Sequence, residues 1–461
     1  MRRVLTEQAL LLTAGCAILL GGCLELPSRR GASDSAVPIT DQGTPAGDTT
    51  PATADGTVDS SAADRQPPAI PDDGGEQPSD SAPAAPVPTS PDVPAALAVV
   101  SATPKNLQAK LNAAQPGDHI TCASGVYSGD YTLNNSGTAA HPIVVRAASP
   151  QGAEFTGKMT LAGDHGWAYQ LAFRDQGQAM VIDGDFVTVK RCLLRDQSAA
   201  VPGWILWRKG KDGLLSHCEI DHQGGIAVMT KISSYGTRRL TVRRCYFHDP
   251  VALASNTGEA IGFGQARTDT DIAFGGLIEH NLFVGDSQKR WSEGEIVGLK
   301  SSKNVVRYNT FRNAQNGVLS FRHGEDNQAI ANRHDNTAGF KINDVDHTLI
   351  GNVGSVRLFE GSRDGDGNPT AAETQSQTYS AKRVTVARHH GDILLGYYRS
   401  SQERGFPTTD TSIEAQVSGT VSAYNGDGAH VGTKESANTK EPDPGPAPNL
   451  TPADVGLNAA P

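Results

Sequence analysis

The chain has 461 residues, and its 50 Asp and Glu residues against 40 Lys and Arg residues give a formal net charge of −10. Between residues 31 and 96 there are eleven acidic residues and one arginine, so this stretch alone carries a net charge of −10 and the rest is balanced. The acidic total therefore does not exclude an anionic ligand, although we expect no nucleic-acid partner. The six cysteines form no CxxC pair, which argues against a zinc site.

Residues 1–23 are predicted to be a lipoprotein signal peptide. They begin with two early arginines, continue with an apolar run too short for a membrane-spanning helix, which needs about 20 apolar residues, and end in Leu-Gly-Gly-Cys. That ending resembles a bacterial lipobox, so Cys23 is the predicted lipidated residue; the alternative is an ordinary cleaved signal. No aspartate follows Cys23. We therefore expect an outer-membrane lipoprotein, on the periplasmic face or the cell surface.

The composition divides the remaining chain into three parts. Residues 24–96 are acidic and rich in Pro, Ala, Ser and Asp, with few large apolar side chains, which predicts a disordered tether. Residues 97–432 have a globular composition and are long enough for one large domain. Residues 433–461 are polar and Pro-rich, and we predict a disordered tail.

One short pattern recurs through the predicted domain, with Cys or Asn between apolar residues and a polar turn after them. Seven copies lie 20 to 36 residues apart, centred on Cys192, Cys218, Cys245, Asn281, Asn309, Asn332 and Asn352. A coil of three short strands needs roughly twenty or more residues, and stacked coils would align these side chains into ladders. The sequence therefore predicts an all-β fold, a right-handed parallel β-helix. The three cysteines are interpreted as stacked core residues, with disulfides among them as the alternative.

The open end of such a helix needs a cover. The stretch "TPKNLQAKLNAAQPGD" predicts a short capping helix, with Thr103 at the N-cap, Pro104 in the first turn, and Leu107 and Leu111 on one face.

Two acidic residues stand out as possible metal ligands. Glu293 and Glu295 are two residues apart, so both face the same side of a strand, where carboxylate oxygens suit Ca²⁺. Taken alone, the pair also fits a solvated acidic strand face.

Three further stretches give this pair a context: "NTGEAIGFG" (256–264), "EGEIVGLKSSKNVVRYNTF" (293–311) and "GVLSFRHG" (317–324). With "LQAKLNAAQPGDHITCASGVYSG" near the beginning, they resemble polysaccharide lyase family 6, the chondroitinase B and alginate lyase family. The resemblance spans roughly residues 103–400. It implies a right-handed β-helix that cleaves an acidic polysaccharide by β-elimination and leaves 4,5-unsaturated uronate ends.

The resemblance also implies site residues. By position in the family's motifs, Asn256, Glu293 and Glu295 would hold Ca²⁺, Lys300 would be the catalytic base, and Arg322 the acid. His323 matches a histidine of the substrate cleft.

The chemistry explains why a base would lie beside a metal site. The substrate carboxylate opposes removal of the adjacent C5 proton, so a cation must neutralise it, and the base must reach the same carbon. We expect the cation and Arg322 to lower the pKa of Lys300 towards neutrality. Strand alternation would turn Lys300 away from Glu295, so we predict a bend or bulge near Gly298.

One departure from the family concerns substrate binding. The family often has an arginine in the motif IRIG, whereas this chain has Gly262 at that place. The subsites are therefore less securely inferred than the catalytic residues.

Four functions stay open on the sequence. An alginate lyase is favoured by analogy, and a dermatan or chondroitin sulfate lyase is the nearest alternative. A non-catalytic polyuronate-binding protein at the cell surface and a uronate C5-epimerase are the others.

Overall fold

A computed structural model of the protein describes most of the chain beyond residue 91. The described residues, all within one unit of residues 83–461, are 92–174, 177–198, 202–251, 258–264, 269, 272–285, 294–359, 380–397, 408–423, 434–437 and 442–459. The predicted signal peptide, Cys23 and most of the predicted tether lie outside them. No helix among the described residues is long and apolar enough to cross a membrane.

The described strands pair in parallel and form three faces around a common axis. The first face is a sheet of fourteen described strands. They are β1 Ala98–Ala102, β2 Asp118–Cys122, β5 Ile143–Ala147, β8 Gly166–Tyr169, β11 Thr188–Lys190, β14 Leu214–Ser216, β17 Thr241–Arg243, β20 Leu277–Glu279, β23 Val305–Arg307, β25 Gln328–Ile330, β27 Thr348–Ile350, β29 Thr385–Ala387, β31 Ser412–Glu414 and β33 Lys434–Ser436.

The other two faces are joined by two long strands, β24 Thr310–His323 and β26 Arg333–Ile342, each of which runs across both. The second face also contains β3 Gly125–Tyr127, β6 Ala153–Phe155, β9 Ala172–Arg174, β12 Leu193–Arg195, β15 Glu219–Asp221, β18 Tyr246–His248 and β21 Leu282–Val284. The third also contains β4 Tyr131–Leu133, β7 Met159–Leu161, β10 Met180–Ile182, β13 Pro202–Trp207, β16 Ile226–Thr230, β19 Ile261–Phe263, β22 Glu295–Lys300, β28 Val356–Phe359, β30 Ile393–Tyr397 and β32 Val421–Ala423. This arrangement confirms the predicted parallel β-helix.

The recurring Asn residues form the predicted ladder at the turn between the first and second faces. Asn281 donates from its side-chain amide to Asn309, Asn309 to Asn332, and Asn332 to Asn352, at nitrogen–oxygen distances of 3.0, 3.0 and 3.1 Å. All four side chains are completely buried. Their mutual hydrogen bonds satisfy amides that would otherwise be costly to bury, and they hold each coil in register with the next.

The buried cysteines continue the same ladder towards the N-terminus. The thiols of Cys192, Cys218 and Cys245 donate to backbone carbonyls of the preceding coils, at sulfur–oxygen distances of 3.6 to 3.8 Å. The four described cysteines are all free and buried. The interpretation as stacked core residues is therefore confirmed for the described chain.

The capping helix α1 spans Leu107–Ala113 and buries Leu107 and Leu111, as predicted. It begins later than expected, with Asn106 as its N-cap instead of Thr103. Gln108 donates to the carbonyl of Thr132 and accepts from its backbone amide, both at 2.9 Å. One side chain thus pairs with the exposed backbone of β4 and protects that edge. The described residues also contain helix α2 at Ile232–Tyr235 and a 3-10 turn at Gly456–Asn458.

The prediction of a disordered C-terminal tail is wrong for residues 442–459. This segment runs back along the outside of the β-helix, where Thr310 donates to the carbonyl of Pro448 at 2.8 Å and Val455 is 1% exposed. Its polar composition suggested disorder, but backbone carbonyls accept hydrogen bonds whatever side chains they carry.

The predicted tether also ends earlier than residue 96, because Asp92 belongs to the folded part. Its carboxylate contacts Lys190 at 2.6 Å and accepts from Arg191 at 2.7 Å and from Tyr169 at 2.6 Å. Arg191 also donates to the carbonyls of Leu457 and Ala459 in the C-terminal segment, at 2.7 and 2.9 Å. One arginine therefore ties both ends of the described chain to the same coil.

We expect Asp92→Ala to lower the free energy of unfolding at pH 7 by about 1–3 kcal/mol, because three donors lose one charged acceptor. Burial alone would raise the pKa of Asp92, but hydrogen bonds from Lys190, Tyr169 and Arg191 lower it from 3.8 to about 2. This stabilisation is present above the ordinary value of 3.8 and is lost as the pH falls towards 2. Denaturant titrations at pH 7 and at pH 2–4 would measure both effects. The exposed Glu325→Ala is the control, and an unchanged Asp92→Ala midpoint at pH 7 would contradict the assignment.

Candidate active site

Charged side chains that are far apart in the sequence meet on the third face. Glu259 lies just before β19, Glu295 and Lys300 lie on β22, Arg322 lies near the end of β24, and Lys341 lies on β26. These strands are consecutive neighbours in the sheet. The register therefore brings one charged group or more from each of four successive coils to one place.

A bulge places Glu295 and Lys300 on the same side of β22, as the sequence analysis required. The pairing of β22 with β24 shifts between Glu295 and Val297, so that Ile296 has no partner in β24. Ile296 and Val297 both point into the core and are fully buried. Because two consecutive residues point inward, Glu295 and Lys300 come to lie on the same side of the strand. The bulge is two positions before Gly298, where the bend was predicted.

A second bulge lies opposite, in β24. Leu299 pairs with Phe321, but Lys300 pairs with His323, so Arg322 is the extra residue. This irregularity puts Arg322 and His323 beside Lys300. His323 is only 2% exposed, and its role in substrate binding stays a prediction.

The charged groups form two linked sets of ion pairs. Lys300 Nζ lies 3.0 Å from Glu259 Oε1, and the two side chains are 13% and 5% exposed. Glu295 accepts a hydrogen bond from Ser320 at 3.1 Å and lies 3.7 Å from an Arg322 nitrogen and 3.5 Å from Lys341 Nζ. Lys341 also lies 5.3 Å from the centre of the Phe359 ring. Arg322, at 26% exposure, is the most accessible of these side chains.

Two glycines make room for the carboxylates. Gly262 and Gly298 are paired in β19 and β22. A Cβ on Gly262 would lie 2.7 Å from Glu259 Oε2. A Cβ on Gly298 would lie 3.1 Å from Glu259 Cδ and 3.2 Å from Glu295 Oε2. A side chain at position 262, where the family often has an arginine, would therefore displace the carboxylate of Glu259.

Burial and neighbouring charge separate the pKa values of the two carboxyls. Burial raises the pKa of Glu259 to about 7, with a further contribution from Glu295 and an opposing one from Lys300. Burial would also raise the pKa of Glu295, but Lys341, Arg322 and Lys300 outweigh it and hold that pKa well below its usual range.

The expected low pKa of Lys300 is not found in this structure. Burial alone would lower the pKa of Lys300, but the charges of Glu259 and Glu295 raise it above the ordinary value of 10.5. The expectation considered Arg322 and a cation but omitted Glu259, which is the closest described charged partner of the amine. The lowering of this pKa by a bound cation stays a prediction.

Two of the three predicted metal ligands, Asn256 and Glu293, lie outside the described residues. For the third, the surroundings fit a hard cation. Glu295 Oε2 and Glu259 Oε2 are shielded from solvent, and neither has a hydrogen-bond partner among the described groups. Carboxylate oxygens are the donors that Ca²⁺ prefers, so these residues could hold it.

Sequence reasoning missed Glu259 and Lys341. Glu259 had a signal, because it lies three residues after Asn256 inside the quoted motif "NTGEAIGFG". Lys341 had none, because only the register of β22, β24 and β26 aligns it with Gly298 and Ser320.

Solved structures with a similar fold include polysaccharide lyases of family 6. A mannuronic acid specific family 6 lyase from human gut microbiota has a TM-score of 0.60 and 18% identity, covering 74% of this chain and 87% of that one. Pedsa3628 from Pseudopedobacter saltans has a TM-score of 0.62 and 17% identity, covering 78% and 99%. The alginate lyase AlyGC has a TM-score of 0.60 and 20% identity, covering 73% of this chain but 50% of AlyGC.

At these identities the structures establish the fold. No curated protein sequence matches the chain. The sequence model of the family described as Chondroitinase B, however, matches residues 100–353, more than half of the chain. Together with the β-helix and the charged centre on its third face, this match shows that the chain belongs to the chondroitinase B family of polysaccharide lyases, family 6.

Proposed function

We propose that the protein cleaves a uronate-containing polysaccharide, with alginate as the favoured substrate, by calcium-assisted β-elimination. The observation that carries the proposal is the placement of Lys300 and Arg322 on adjacent strands, both next to the buried carboxylate of Glu295. Alginate is favoured because similar structures include a mannuronic acid specific lyase and an alginate lyase in complex with a trisaccharide.

In this mechanism Lys300 Nζ, in its neutral amine form, takes the C5 proton of the sugar at the cleavage site. The Ca²⁺ would offset the negative charges of Glu259 and Glu295 that raise the pKa of this amine. The electrons left on C5 form the C4–C5 double bond, and the C4–oxygen bond breaks. Arg322, which is more exposed than Lys300, donates hydrogen bonds to the departing oxygen while water completes its protonation. A guanidinium has five N–H donors and does not release its protons readily, which suits it to this role.

Glu295, Glu293 and Asn256 would hold the Ca²⁺, which would neutralise the substrate carboxylate and so lower the cost of a negative charge at C5. Lys341, which is 5% exposed, adds positive charge at Glu295 Oε1, whereas Arg322 approaches Oε2. Its burial suits a group that stabilises the charge of Glu295 instead of contacting the polymer.

The lipid anchor on Cys23 and the location in the outer membrane belong to the same proposal. A tethered enzyme on the periplasmic face or at the cell surface would meet polysaccharide outside the cytoplasm. Labelling of the wild-type protein with a fatty-acid analogue, and its loss in Cys23→Ala, would test the anchor.

An ultraviolet assay tests the reaction. Wild-type protein on alginate should produce a new absorbance near 232 nm from the unsaturated product, and dermatan sulfate and chondroitin sulfate should give less. If the new absorbance appeared only with a sulfated polymer, that polymer would replace alginate as the assigned substrate. Solvent-proton exchange at C5 without new absorbance would indicate an epimerase, and polymer binding without either signal would indicate a binding protein.

We expect Lys300→Ala to reduce turnover at least about 10²–10⁴-fold while polymer binding is retained, because proton transfer by a positioned group contributes that much. Lys300→Arg should not rescue turnover, because a guanidinium stays protonated. Arg322→Ala should cause a comparable loss. The exposed Lys105→Ala and Arg243→Ala serve as matched controls. Near wild-type turnover in Lys300→Ala would refute the mechanism even if the substrate is correct.

Removal of the cation should have a similar effect. A chelator should abolish most of the activity and added Ca²⁺ should restore it, while Mg²⁺, which demands a tighter octahedral site, should restore less. Glu295→Gln should lose most of the activity with a β-rich circular dichroism spectrum. Full activity after both treatments would show that the calcium assignment is wrong.

A further inference from the structure

We infer that Glu259 shares its carboxylate between the base and the cation, with Oε1 on Lys300 and Oε2 as an additional ligand of the bound Ca²⁺. This inference rests on the proposed function, and it adds a residue to the family's set of Asn256, Glu293 and Glu295. Glu259 would thereby be the positioning residue that fixes where Lys300 lies relative to the cation.

The first observation is that one oxygen of Glu259 is committed to the base. Lys300 Nζ donates to Glu259 Oε1 at 3.0 Å, and this is a contact between two largely buried groups. A buried ion pair holds its geometry more firmly than an exposed pair, because separating it would leave two unpaired charges away from water.

The second observation is that the other oxygen has no such commitment. Glu259 is 4% exposed, and its Oε2 is shielded from solvent without a hydrogen-bond partner among the described groups. A buried carboxylate oxygen that no group satisfies is costly, and a cation is the partner that removes this cost.

The third observation is that Glu295 offers an oxygen of the same kind at the same place. Its Oε2 also lacks a hydrogen bond, although Arg322 Nη1 is 3.7 Å away, and it lies 3.2 Å from the Cβ position of Gly298. That position is also 3.1 Å from Glu259 Cδ and 3.2 Å from Glu259 Oε1, whereas Glu259 Oε2 lies 2.7 Å from the Cβ position of Gly262, the glycine paired with Gly298. The two carboxylates therefore meet above this pair of glycines. Each has an oxygen without a hydrogen bond above these adjacent strands, where one ion could take both oxygens as ligands.

The bridging carboxylate would have a direct consequence for catalysis. If the cation holds the carboxylate of the substrate, the C5 carbon beside that carboxylate lies at a fixed distance from the cation. Glu259 fixes the amine of Lys300 relative to the same cation. The amine of Lys300 and the C5 carbon are then both held in place relative to the same cation. Holding reacting groups in position lowers the activation barrier of proton transfer.

Calorimetric titration of the full chain with CaCl₂, without substrate, tests the ligand role apart from activity. Glu259→Gln keeps the shape of the side chain but removes its charge, and it should weaken Ca²⁺ binding at least about tenfold, a loss of the size seen when groups that support a metal site are removed. On polymer, kcat should fall more than KM changes. Glu279→Gln is the matched control, because Glu279 is also buried in an ion pair, with Arg307 at 2.9 Å.

Gly262→Ala provides a second variant that leaves every charge in place. Its Cβ would lie 2.7 Å from Glu259 Oε2, so the carboxylate must shift, whereas the backbone at this position suits alanine. We expect this variant to lose Ca²⁺ affinity as well, even if Glu259→Gln folds poorly.

The outcomes separate this inference from the proposed function. Wild-type Ca²⁺ affinity in both variants would overturn the ligand role, and a loss of kcat alone would then assign Glu259 to Lys300 only. If the wild type cleaves no polyuronate but both variants bind Ca²⁺ more weakly, the ligand role stands and the proposed reaction fails.

Discussion

Hydrogen bonding between parallel strands of successive coils is the constraint on which the candidate active site depends. The coils that contain β19, β22, β24 and β26 each contribute one or two charged groups, and the lateral register decides which of them touch. The register is locked at the corners by buried amides such as Asn309, which bonds to the coil on either side of it. A slip of one residue would exchange inner and outer side chains throughout a coil. The ladder therefore supports the site from a distance.

The candidate active site consists of buried carboxylates and cations that neutralise one another to different extents. Glu295 is surrounded by Lys341, Arg322 and Lys300 and stays ionised despite complete burial. Glu259, with one cationic partner and a second carboxylate nearby, has a pKa of about 7. Two glutamates of the same site thus differ because their neighbours differ. Such separation of titration behaviour is typical of functional sites, and here it arises from the order in which four coils stack.

The ends of the described chain are held by a different device. Arg191 donates to Asp92 near the start and to the carbonyls of Leu457 and Ala459 near the end. The C-terminal segment also accepts a hydrogen bond from Thr310 far along the helix. Both segments have compositions typical of disorder, yet they lie on the surface of the β-helix because a rigid scaffold offers them donors in fixed positions.

The sequence by itself determined the architecture, because repeated Cys and Asn residues at coil-length intervals can be satisfied only when the coils stack. It also pointed to Glu295, Lys300 and Arg322 through short motifs, and to a bulge through strand alternation. It did not determine the partner of Lys300 or the presence of Lys341 beside Glu295. Those contacts join residues 41 and 46 positions apart. Whether residues so far apart in the sequence come into contact depends on the loop lengths and on the two bulges, and only the folded structure shows the resulting strand register.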